Sequence, residues 1–120
     1  MTKTLSVSDE TYNKIKDQLR GEEIKIAKDY VIIRTYSAGV FAGELKSRDG
    51  KEVVLKNARR LWYWDGAASL SQLAMEGVSK PENCKFPCEV DEITLTEAVE
   101  VINCTEQAQK SIKSVDIWNE

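Results

Sequence analysis

Arg59 and Arg60 stand side by side and are followed at once by Leu61, Trp62, Tyr63 and Trp64. Guanidinium groups grip phosphate oxygens through a planar fork of donors, and aromatic faces stack on bases. This residue set therefore points to a nucleotide or nucleic-acid site. In an extended chain alternate residues share a face, so Arg60, Trp62 and Trp64 point one way and Arg59, Leu61 and Tyr63 the other. Arg60 beside Trp62 makes a phosphate-plus-base pair. The same aromatics equally suit a core or a subunit interface, with the arginines solvated or salt-bridged. A second cluster, Arg34-Thr35-Tyr36-Ser37-Ala38-Gly39, sets a cation, an aromatic and two hydroxyls beside a glycine. Backbone N–H groups near Gly39 suit an anion nest, and ordinary turn chemistry explains the same residues. Asn57 either reads a base edge with its amide or takes left-handed geometry at a bulge. The candidate ligand-binding set is Arg34, Tyr36, Phe41, Asn57, Arg59, Arg60 and Trp62.

Other chemistries have less to draw on. The chain holds no histidine, which removes the commonest general base and the commonest nitrogen ligand of zinc. Cys84, Cys88 and Cys104 are an odd set with poor metal-ligand spacing, and the expectation is free, packed thiols with no metal site and no cofactor. Asp91, Glu92, Glu97 and Glu100 fall on a stretch whose alternation sends most of them to solvent. No catalytic residue is assigned, and the expectation is a protein that is not an enzyme. The net charge of -3 and pI near 5.1 argue against a general nucleic-acid coat. A small anionic ligand needs only two or three local cations. The N-terminus lacks an apolar signal core and no apolar run has the length of a membrane span, so a cytosolic location is expected.

The elements that must position these residues can be read coarsely. Residues 4–7 alternate like a strand, and Ser8 caps a helix over about 9–20 that Gly21 stops. Strand character follows at 23–27, 30–36, 40–46, 52–55 and 60–64, with a hairpin at Asp49-Gly50. A helix is expected over 67–76, a loop over 79–87, a strand over 89–102 broken near Thr96-Glu97, and a helix from the Thr105 cap to about Lys113. Residues 115–118 suit an edge strand. The fold class is α+β: a small antiparallel sheet or partial barrel with two to three short helices. At 120 residues a single domain is expected. In it a strand–helix element at 1–22, appended or integral, precedes a β-rich core at 23–120.

Two resemblances carry further expectations. KTLSVSDETYNKIKDQL at residues 3–19 is similar to the opening of ribbon–helix–helix antitoxins, where a strand reads the DNA major groove and the next helix dimerises. No second helix follows here. From about Val31 the segments RTYSAGVFAGEL, VVLKNARRLWYWDGAASLSQLAMEGV and EVDEITLTEAVEVINCTEQAQKSI resemble the phage-encoded Thoeris anti-defence sponges. That resemblance implies a non-enzymatic homo-oligomer that binds cyclic ADP-ribose isomers, or cyclic oligonucleotides, and holds them intact in the host bacterial cytosol. A DNA-binding regulator of ribbon–helix–helix type and a phage protein-binding adaptor are the alternatives.

Overall fold

The computed structural model describes residues 24–119. The expected strand at 4–7, the helix at 9–20 and the antitoxin-like segment lie outside the described residues. The elements are β1 (Ile26–Thr35), β2 (Val40–Asp49), β3 (Glu52–Arg60), α1 (Leu70–Glu76), a 3₁₀ turn (Pro81–Asn83), β4 (Glu89–Leu95), β5 (Ala98–Thr105) and α2 (Glu106–Ser114). The strands form one five-stranded antiparallel sheet in the order β4-β3-β2-β1-β5.

That order forces curvature. β4 and β5 occupy opposite edges of the sheet yet are joined by Thr96 and Glu97 alone. Four strand spacings in a flat sheet would separate the edges by roughly 19 Å, whereas the three Cα steps of the link reach about 11 Å at most. The sheet therefore curls until one end nearly closes. Ala98 N–H donates to Lys51 C=O at 3.0 Å and Tyr36 N–H to Glu97 C=O at 2.9 Å, tying β5 and the link to both hairpin turns. The result is a partial barrel carrying two helices, an α+β fold.

Curling gives β1 two buried faces, which is why Tyr30-Val31-Ile32-Ile33 is an unbroken apolar run rather than an alternating one. Val31 and Ile33 point inward with Phe41, Val53, Leu55, Ala58 and Leu95. Tyr30 and Ile32 point outward to a second core with Ala42, Leu61, Leu73, Phe86, Ala108 and Ile112 beneath the helices. α1 starts where Ser69 Oγ accepts Gln72 N–H, and α2 where Thr105 Oγ1 accepts Ala108 N–H. Thr105 also donates to Met75 C=O at 2.6 Å, so one hydroxyl caps one helix and pins the other.

Several boundaries differ from the sequence reading. The two strands expected at 23–27 and 30–36 are, over the described residues, one strand, β1 (Ile26–Thr35), bulged where Asp29 takes φ 60°. The expected strand at 60–64 ends at Arg60, and only Tyr63 continues as a bridge to Lys85. Residues 89–102 split at the expected Thr96-Glu97 break into strands on opposite edges. Of the cysteines, Cys84 and Cys104 are free and buried, whereas Cys88 is free and exposed rather than packed.

The buried core sets the alkaline limit of stability. Burial pushes the Cys104 thiol up to about 12, and raises the Tyr30 hydroxyl well above the usual phenol range. Both groups are neutral when protonated, so each favours folding fully below its unfolded pKa, about 8.5 for Cys and 10 for Tyr. That contribution is lost as pH rises through the window, with a slope of about 1.4 kcal/mol per pH unit per group. Urea midpoints are expected to be flat from about pH 6 to 8 and to fall above about pH 9. Cys104→Ala should shrink the first part of the fall, leaving the share of Cys84, whose thiol burial also raises. An unchanged alkaline slope in that variant would show that Cys104 does not carry it.

Candidate ligand site at the β1–β2 turn

Thr35, the last residue of β1, organises the turn that leads to β2. Its N–H and its hydroxyl both donate to Gly39 C=O, at 3.0 and 2.7 Å, and its hydroxyl accepts Ala38 N–H at 2.9 Å. Gly39 takes φ 102°, a conformation that side chains with a Cβ resist. The turn is thus held in shape before any ligand arrives.

Arg60 reaches this turn from β3. The β2–β3 register sets Phe41 opposite Arg60. The guanidinium carbon lies 4.3 Å from the Phe41 ring centroid, and Nη1 donates to Ala38 C=O at 2.7 Å. One contact fixes the plane of the fork and the other its rotation. The side chain is nonetheless on the surface, and among the described residues no carboxylate lies within ion-pair distance of it. A pre-oriented cation with unspent donors is what oxyanion recognition requires.

Around it the turn displays Tyr36, 81% exposed, and just past the strand end lies Trp62, 64% exposed. Trp62 is held by its backbone, whose N–H donates to Lys85 C=O at 3.1 Å. Ser37 Oγ donates to the Glu97 carboxylate at 2.6 Å, and Arg34 Nε to Glu100 at 2.8 Å across β1 and β5. Arg34 is therefore partly neutralised, and the rim also holds the Glu97 carboxylate and Arg60, neither of them in an ion pair among the described residues.

Three members of the sequence-derived set have other tasks. Arg59 is 3% exposed, on the opposite face of β3 beneath α2. It donates to Pro87, Ile112, Phe86 and Val115 carbonyls at 2.6–3.1 Å, and its guanidinium lies 5.4 Å from the Phe86 ring. Strand alternation separates it from Arg60, so the two arginines do not share a phosphate. Phe41 is 2% exposed and supports Arg60 instead of offering a face to a base. Asn57 takes φ 51° at the bulge in the β2–β3 register, and its amide donates to Glu44 at 3.2 Å. Of the sequence-derived set, Arg60 and Tyr36 are exposed at the β1–β2 turn, Trp62 is exposed two residues beyond Arg60, and Arg34 lies in the strand that leads into the turn.

The sequence reading missed the Thr35 anchor and the Ala38 carbonyl, whose roles depend on a turn closed by contacts outside any motif. It also missed a groove of about 350 Å³ where Lys28, Lys46 and Lys56 converge with Asp29, Glu44 and Gln109. Those lysines come from neighbouring strands and meet only through register. Lys46 pairs with Glu92 and Glu44 takes the Asn57 amide, which gives this groove the character of a solvated, mixed-charge face. Among the described residues no group of three or more His, Cys, Asp and Glu could hold a metal ion. Nor is any helix among them long and apolar enough to cross a membrane.

No curated protein and no solved structure matches the chain. Residues 28–112, which span β1 to α2, match the model of a domain of unknown function, DUF6948, and the chain belongs to that family.

Proposed function

We propose that this protein binds and sequesters a cyclic nucleotide immune signal, either a cyclic ADP-ribose isomer or a cyclic oligonucleotide, without converting it. In this role it acts in the host bacterial cytosol and counters anti-phage defence, as the sponges it resembles do. The observation that carries the reading is Arg60: an exposed guanidinium pre-oriented by Phe41 and Ala38, with no carboxylate partner among the described residues. Tyr36 and Trp62 supply aromatic faces for a purine and Arg60 a fork for phosphate. Binding without turnover fits the groups at hand. The side chains whose protonation burial displaces, Tyr30, Cys84, Cys104 and Arg59, sit in the core rather than beside Arg60. A site this open encloses a ligand only if a second subunit covers it, so the binder is a homo-oligomer.

The test is a thermal-shift screen against cyclic ADP-ribose isomers and cyclic di- and trinucleotides. A ligand that binds only the native state at 100 times its Kd adds about 2.7 kcal/mol of stability, which a melting curve resolves easily. The expected result is a large shift with one class and recovery of the ligand unmodified after heating. No shift with any of them would transfer the weight to the adaptor reading. The observation favouring that reading is the exposure of Tyr36, Trp62, Tyr63 and Trp118 as interface-type aromatics.

A further inference from the structure

Away from the β1–β2 turn, the chain builds a small ribbon from segments outside the main sheet. Lys85 N–H donates to Tyr63 C=O at 2.7 Å, and Trp62 and Tyr63 N–H both point to Lys85 C=O. On the other side Phe86 bridges Ile117 in parallel, with Trp118 N–H donating to Phe86 C=O at 3.0 Å. In a parallel bridge of this kind Phe86 bonds the residues flanking Ile117, so the N–H and C=O of Ile117 point away from Phe86. Neither has a backbone partner among the described residues, and the Ile117 side chain is 56% exposed. Among the described residues the 116–118 segment is thus an open edge.

Beside this edge lies a groove of about 440 Å³ lined by Pro81, Glu82, Ser114, Asp116, Ile117 and Trp118. Its apolar walls are aliphatic and aromatic, both of its charged residues are carboxylates, and no cation is among the residues that line it. Lys85 Nζ lies 5.6 Å from the Trp118 ring centroid, so this indole already attracts an ammonium group. We propose that the 116–118 edge accepts an extended, lysine- or arginine-bearing peptide segment of a partner protein. The partner pairs its backbone with Ile117 and lays a cationic side chain in the groove. Main-chain hydrogen bonds supply the affinity of such strand addition, and the groove supplies the selectivity. Aliphatic stems of lysine or arginine cover Pro81 and Ile117 while the charged heads meet Glu82 and Asp116. Because side chains alternate along a strand, the motif is a cation at every second position. The acidic β4 edge, with Glu89, Asp91 and Glu92, lacks this groove.

The test uses the full chain and a fluorescein-labelled hexapeptide alternating lysine and valine, followed by anisotropy at low ionic strength. Saturable binding is expected, weakened about tenfold or more by N-methylating alternate peptide amides in one of the two registers. The Glu82→Gln/Asp116→Asn double variant should weaken it by a similar factor, since both side chains are exposed and neither makes an ion pair among the described residues. Equal binding of a glutamate–valine peptide, indifference to N-methylation in both registers, or no saturation at millimolar peptide would overturn the proposal. So would a dimer, seen by sedimentation velocity, that Trp118→Ala dissociates and the lysine–valine peptide does not, because the edge would then belong to a second copy.

Discussion

Arg59→Ala is expected to destabilise the protein by about 3 kcal/mol, a large part of the roughly 5–15 kcal/mol that keeps a domain folded. Arg59 is buried, yet its contacts are carbonyls rather than a carboxylate. Two of those carbonyls lie at the end of α2: Ile112, which also accepts the Val115 N–H, and Val115, the residue that caps the helix. The other two, Phe86 and Pro87, belong to the segment leading into β4. One side chain therefore satisfies a helix terminus and fastens an adjacent loop to it. Burial lowers the pKa of the guanidinium, the direction expected when a cation leaves water. Truncation would strand the Pro87 and Val115 carbonyls, each worth about 1–3 kcal/mol when left unpaired in the interior, while Phe86 C=O keeps the Trp118 N–H and Ile112 C=O the Val115 N–H. Arg59→Lys should fail as well, because a single ammonium cannot span acceptors arranged around a planar fork. Urea denaturation of both variants checks this. A loss below about 1 kcal/mol for Arg59→Ala would mean that water replaces the fork at little cost and that the clamp is dispensable.

Adjacent arginines with opposite duties show where sequence reading succeeded and where it stopped. Period-two alternation correctly placed Arg59 with Leu61 on one face and Arg60 on the other. Which face lay under a helix depended on α2, more than forty residues further on, and nothing near Arg59 marks its carbonyl partners. The antiparallel sheet was legible because each of its signals is local: the Asp49-Gly50 hairpin, the break at Thr96-Glu97 and the Thr105 cap. The closing of the sheet was only half legible. It follows from a two-residue link joining opposite edges, and the edges are known only once β1 is seen to pair with β5. Asn57 is an intermediate case. Its residue type allowed a left-handed bulge, and the bulge is what the structure holds. The residues Thr35 to Gly39 read either as a nest or as an ordinary turn, and the structure shows them closing a turn. Their value lies less in a nest of N–H groups than in the Ala38 carbonyl that orients Arg60.

Arg60→Ala should abolish ligand retention while leaving the fold intact, the reverse of the Arg59 outcome one residue away. Arg60 is exposed, so removing it strands one carbonyl at the surface, where water replaces the lost donor, and uncovers part of the Phe41 ring. A stability loss of about 1 kcal/mol or less is expected, since exposed cation–π contacts contribute about 0.5–1 kcal/mol. Its loss from binding should be far larger. A charge-assisted, bidentate contact to phosphate contributes about 1.5–3 kcal/mol, which corresponds to a ten- to hundredfold weakening or more. Arg60→Lys should recover only part of this, because a point charge cannot both lie flat on Phe41 and present a fork. Trp62→Ala should cost about 1–3 kcal/mol if its exposed indole stacks on a base. Arg34→Ala should cost less than either, because Glu100 already occupies its Nε. Isothermal titration with whichever cyclic nucleotide shifts the melting temperature would rank these variants. The ranking Arg60, then Trp62, then Arg34 is specific to a phosphate-and-stacking site. An interface would instead show Trp62→Ala dominating, with loss of oligomer and no dependence on the arginine. Full retention of ligand by a folded Arg60→Ala protein would remove the β1–β2 turn from the binding site and direct the search to the groove beside Lys28 and Lys56.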